Sequence, residues 1–265
     1  MALLAVSIDD LIIEDEPSFA SIELYPRLKA ALRQSGHRFF VPADGDSASW
    51  DRTVFLNLTY WGGPHSGDVL CDAHIPADVI AHTAWHHLAG VAVARAAGGA
   101  GTDDAAAPSA QGLLFGESIA SAFDLYLVGH LLARAPQSDF IVSQMPIMAE
   151  AAENAGLSPR EFSALMETVS RDPERAFEDL RALLLEVTQA LLHAADAPAA
   201  QKVLERFEAH RFHPLLHHYQ LSNWILYARA YSRLGTGDDP GVATLDATLR
   251  SAPSSLGWLV ANWLA

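Results

Sequence analysis

The chain has 265 residues, half of them hydrophobic and 18% charged, with a formal net charge of -15. That balance describes a folded chain and not a disordered tail. Such acidity argues against nucleic acid and anionic membranes as partners, because both need concentrated Lys and Arg. The lone cysteine, Cys71, leaves no internal disulfide and no thiolate-rich metal cage.

The first residues, MALLAVSIDDLIIEDEP, lack a basic segment and soon meet acids, so no secretory signal is expected. SFASIELYPRLKAALRQSG carries apolar residues at three- and four-residue intervals and predicts a helix stopped by Gly36. HRFFVPADG and DRTVFLNLTYWGG are rich in β-branched and aromatic residues and predict two short strands. IPADVIAHTAWHHLAGVAVARAA predicts a helix with Pro76 in its first turn, apolar on nearly all sides and therefore buried. GGAGTDDAAAPSAQG (98–112) reads as a flexible surface loop. A long helix over roughly 113–134 follows, ending before Pro136. Its apolar run comes nearest to a membrane span but carries Glu117, Asp124 and His130, so no membrane association is expected and the cytoplasm is the expected location. Further helices are expected near 140–155, 159–171, 173–195 and 199–211, then a helix pair in the tail. The expected fold is α+β and predominantly helical: a small β element, a pair of site helices, and a helical C-terminal region. A boundary, if there is one, falls near 136–139 and separates 1–135 from 136–265.

The candidate chemistry begins with AHTAWHHLAG, residues 81–90. On a helix, residues four apart are separated by about 40° around the axis and about 6 Å along it. His82 and His86 therefore project side by side and can share one metal ion. On the next helix, LLFGESIASAFDLYLVG places Glu117 and Asp124 seven residues apart on one face. Carboxylates on an apolar helix are costly to bury unless paired, protonated or metal-bound; the alternative is a narrow solvated stripe.

HTAWH together with GESIASAFD resembles the gluzincin metallopeptidases, whose pattern is H-E-x-x-H on one helix and a glutamate on the following one. The resemblance covers residues 79–130 and implies His82, His86 and Glu117 as metal ligands. It also implies Asp124 as the acid that orients a ligand histidine. The interval from His86 to Glu117 is longer than is usual in that family. Thr83 stands where the family keeps its general base, and a threonine hydroxyl is far too weak for that task near neutral pH. What remains is a 2-His-1-carboxylate set with open positions, which is also the signature of non-haem Fe(II) oxygenases.

The reading that follows is a metalloenzyme, Fe(II) first and Zn(II) second, oxidising a small molecule or a peptide. A zinc hydrolase with a substitute base is the second expectation, and a non-catalytic helical interaction protein the third. The substitute base would come from HRFHPLLHHY, where His213 and His217 sit four apart and Pro214 suits a first helical turn. That segment also holds His210 and His218. Tyr60, His65 and His74 precede the site helix and are candidates to line its pocket. His87 points about 100° away from His86. His130, some 20 Å along the helix from Glu117, cannot share its metal.

Overall fold

The computed structural model describes residues 3–43, 58–60, 67–70, 72–98, 109–232 and 235–264. By internal contacts the chain divides into Met1–Ala84 and Trp85–Ala265. The division falls inside one uninterrupted helix, α2 (Ala77–Ala96).

The first unit holds β1 (Leu3–Val6), β2 (Ile12–Glu14), α1 (Leu24–Ser35), β3 (Phe39–Pro42), β4 (Leu58–Tyr60), β5 (Gly67–Val69) and β6 (His74–Pro76). Four strands form a sheet in the order β1-β3-β5-β4, and β2 pairs with β6 in a separate two-stranded ribbon. The β3–β5 and β2–β6 pairs are parallel, and the outer pairings of the larger sheet are antiparallel. In β3 the side chains alternate: Phe39 and Val41 are buried, and Phe40 and Pro42 are half-buried. This period of two puts one face against a core.

Helix α1 buries Tyr25, Leu28 and Leu32, which the helical repeat places on one stripe. Phe19 meets Tyr25 with ring centroids 5.3 Å apart. Gly36 adopts φ +69 and stops the helix, a conformation that glycine enters without strain. The helix starts later than its sequence pattern predicts. Glu16–Ser21 forms a 3-10 turn instead, which turns Phe19 inward before α1 begins. Pro76 ends β6 and is not the first helical residue, so α2 opens at Ala77.

In the second unit α3 (Ala110–Arg134) is the central element. Around it run α4 (Asp139–Asn154), α5 (Pro159–Arg171), α6 (Pro173–Leu192), α7 (Ala197–Glu205), a 3-10 helix (His213–Tyr219), α8 (Leu221–Tyr231), α9 (Pro240–Ser251) and α10 (Ser255–Trp263). Helix α3 lies along α6 and also packs on α5 and α8. It is long and apolar enough to cross a membrane by composition, yet 83% of its most apolar window is buried inside the protein, as a core helix requires.

The helix starts follow from their caps. Ser109, Ser138, Ser158, Asp172, Asp196, Asp239 and Ser254 each accept a hydrogen bond from a backbone N–H in the first turn that follows. These bonds satisfy donors that a helix start leaves open. Two caps are also joined to each other, since the Ser109 hydroxyl donates to Asp239. At Gly129 an added Cβ would stand 2.8 Å from the Val169 carbonyl oxygen, so only glycine lets α3 pass so close to the α5–α6 corner.

The outcome is a mostly helical α+β fold, a small N-terminal β element followed by a helical region. Three local differences stand out. Strands β1, β2, β5 and β6 were not expected; at three or four residues each, they are too short to print a pattern. Most of the stretch read as a loop, 99–108, lies outside the described residues, but Ser109 is buried and the helix already runs from Ala110. Helix α7 stops at Glu205, short of the expected end near 211, and the histidine-rich segment after it forms a 3-10 helix, His213–Tyr219, with Phe212 at its start.

Candidate metal centre

Helices α2 and α3 run antiparallel in close contact. A Cβ on Gly112 would meet Val93 at 3.5 Å, and one on Gly116 would meet Ala89 at 3.7 Å. Further along, Trp85 lies against Phe123, with ring centroids 5.5 Å apart. Trp85 is fully buried and fixes the rotation of α2 beside the histidine that follows it.

Between these contacts, ligand atoms of His82, His86 and Glu117 all lie within 4.8 Å of one another, and all three residues are partly buried. His86 Nε2 is 3.5 Å from Glu117 Oε1, with the two side chains 18% and 13% exposed. Two donors each about 2.1 Å from a common ion stand roughly 3–3.5 Å apart, so the observed gap suits coordination. It is also at the outer limit of a hydrogen bond. The donors are two imidazoles and one carboxylate, a set that suits first-row divalent ions.

Gly116 shapes the site. A Cβ there would come within 3.3 Å of His86 Nδ1, tighter than ordinary van der Waals contact. The missing side chain gives the imidazole room on the side away from Glu117. Sequence reasoning passed over this glycine, although a glycine inside a long apolar helix costs about 1 kcal/mol against alanine and so hints at a close approach.

Thr83 is buried at 7% exposure on α2. Asp124 is partly buried two turns after Glu117, and its charge acts on His218 and Tyr219. His213 is half-buried, and His217 is exposed. His74 is exposed, its ring 3.2 Å from Asp72. His65 and the Tyr60 side chain lie outside the described residues. His87 is half-buried on α2. His130 packs against Tyr126 at 4.4 Å between centroids; burial, then the Arg134 charge, pushes its imidazole pKa down. His218 escaped notice as an individual residue because neighbouring His213 and His217 had the helical spacing.

The fold and the site define a helical protein with a mononuclear His/His/carboxylate metal-binding triad. No family model, no curated protein and no solved structure matches the chain. The gluzincin resemblance is thereby corrected. What stands is the triad His82–His86–Glu117 in its own right, and Thr83 is not a replaced catalytic glutamate. The physical reason is that two histidines four apart on any helix converge, whatever residues lie between them. That spacing reports geometry and carries no ancestry.

Proposed function

We propose that the protein is a metal-dependent enzyme in which His82, His86 and Glu117 hold one Fe(II) ion, and that it oxidises a small molecule or a peptide. The observation that carries this reading is the convergence of three partly buried donors, two imidazoles and one carboxylate, on one point. Three protein donors leave coordination positions open, and Fe(II) in such a set supplies redox chemistry toward dioxygen. The chain's own groups supply the rest. Glu117 contributes the negative charge that offsets part of the ion's charge, and the apolar surroundings of α2 and α3 strengthen that attraction by excluding water. Gly116, having no side chain, leaves room beside the His86 ring, and Trp85 anchors the preceding position of α2 against Phe123. The formal charge of -15 favours a substrate that is not a nucleic acid.

Zinc-dependent hydrolysis is the second reading, favoured by the same donor set, since His/His/Glu also suits Zn(II) with a water in the fourth position. Elemental analysis of the protein purified without added metal tests both. Iron near one per chain, with oxygen uptake after anaerobic Fe(II) loading, is the expected result. Zinc at full occupancy with no oxygen uptake supports hydrolysis. Equal metal content in the wild type and His82→Ala leaves neither reading standing and returns the chain to a non-catalytic helical protein.

A further inference from the structure

Three helix ends meet beyond the metal centre: the last turns of α2, the first turn of α3 and the first turn of α9. A Cβ on Gly112 would stand 3.1 Å from Ser109 Oγ, 3.5 Å from Val93 Cγ1 and 3.9 Å from Asp239 Oδ2. One glycine of α3 thus faces both other elements at once. A Cβ on Gly241 would stand 3.0 Å from the Val93 carbonyl oxygen and 3.3 Å from the Ala97 nitrogen, so the start of α9 rests on the backbone at the end of α2.

Ser109, Gln111 and Asp239 are buried at this junction. Asp239 Oδ1 accepts the Gly241 and Val242 N–H groups at 2.9 and 3.2 Å, which caps α9. Its second oxygen, Oδ2, accepts the hydroxyl of Ser109, which in turn caps α3 by accepting the Gly112 N–H at 2.9 Å. Gln111 adds two more ties, accepting the Asp239 N–H at 2.9 Å and donating to Asp238 at 3.2 Å. Capping one helix needs one oxygen, which serine or asparagine provides at no charge. A buried carboxylate costs more, and only the second oxygen, spent on α3, accounts for it here.

We propose that the Ser109–Gln111–Asp239 junction is a positioning element for the metal centre, fixing how far α3 slides along α2 and so the gap between Glu117 and His86. This inference rests on the metal-centre reading given above and holds for either ion. Ser109 is eight residues from Glu117, about 12 Å along α3, and Val93 is seven from His86, about 10 Å along α2. Between junction and site, the close contact of Gly116 with Ala89 continues the same seam, so a displacement at one end carries to the other. Donor atoms need placing to within about 0.5 Å for tight coordination. Asp239 acts through the helices and touches neither ion nor substrate.

The test is Co(II) binding to the full chain, read by visible absorption, whose intensity and band positions report the geometry around the ion. Asp239→Asn keeps a capping oxygen for α9 but removes the acceptor that faces Ser109. Circular dichroism checks that it folds; if it does not, Gln111→Ala, which breaks the other ties of the junction, takes its place. Asp196→Ala is the control, since it removes a cap from α7, which packs on α6. The junction variant is expected to bind Co(II) about tenfold more weakly and with an altered spectrum, the size of effect that groups supporting the ligands have on a metal. The control is expected to lose stability and keep the wild-type affinity and spectrum. A junction variant with wild-type affinity and spectrum overturns this inference and leaves the metal centre standing, and so does a control that changes as much. Failure of the wild type to bind Co(II) at all overturns both.

Discussion

His86 and Glu117 face each other across two helices, with Nε2 and Oε1 3.5 Å apart, and the residue beside Glu117 is a glycine on which a Cβ would crowd His86 Nδ1 at 3.3 Å. One helix turn thus does two jobs: it provides a carboxylate donor and it clears space for a histidine donor.

Glu117→Gln keeps the shape of the side chain and removes its charge. Metal affinity is expected to fall by at least 100-fold, since an anionic donor is replaced by a weakly coordinating amide. Equilibrium dialysis with Zn(II) or anaerobic Fe(II), read by elemental analysis, measures it. Unchanged affinity means that the carboxylate is not a ligand.

Gly116→Ala separates site geometry from stability. Alanine improves helix propensity by about 1 kcal/mol over glycine, which opposes the cost of the new contact at His86. The thermal midpoint is therefore expected to move by only a few degrees. Metal affinity is expected to drop about tenfold as the ring is pushed from its place. Gly116→Val should exceed it in both respects.

Two ion pairs on α9 are expected to behave differently. Arg181 is 2% exposed and its guanidinium lies 2.7 Å from Asp246. Removing the acid in Asp246→Ala leaves a buried, uncompensated charge, and a loss of about 3 kcal/mol is expected in chemical denaturation. The Arg250–Glu186 pair is open to solvent, so Glu186→Ala is expected to cost less than about 0.5 kcal/mol. Similar losses in both variants contradict this account.

Acid is expected to destabilise the protein through its histidines. Burial pushes His130, His210 and His218 below the usual imidazole value of 6.5. With a lowered pKa the folded chain binds fewer protons than the unfolded chain in that region, so stability rises with pH. The contribution is present above pH 6.5 and is lost as pH falls through the lowered folded values. Thermal midpoints measured from pH 7.5 to 5 are expected to decline, and the decline should be shallower in His218→Gln.

Several features of this protein are legible in its residues alone, because they depend on neighbours along the chain. Ser138, Ser158 with Glu161, Asp172 and Asp196 mark helix starts by chemistry that acts within one turn. Gly36 marks a helix end for the same reason. The pairing of His82 with His86, and the presence of Glu117 and Asp124 on one face of an apolar helix, follow from helical periodicity. The predominance of helix over a small β element follows from the same periods.

Tertiary packing decided what periodicity leaves open. Either acid on α3 could have joined the histidines; the depth at which α2 lies on α3, set by Ala89 at Gly116 and Trp85 at Phe123, selected Glu117. The four-residue spacing of His213 and His217 drew attention to those two. The 3-10 winding of their segment instead leaves His217 in solvent and brings His218 under the charge of Asp124. Strand β1 pairs with β3 through backbone groups while its leucines remain exposed, so no side-chain pattern announced it. Local rules act over one helical turn, about 5.4 Å, and name the donors. The choice among donors is made by side chains that meet only when distant segments close on one another.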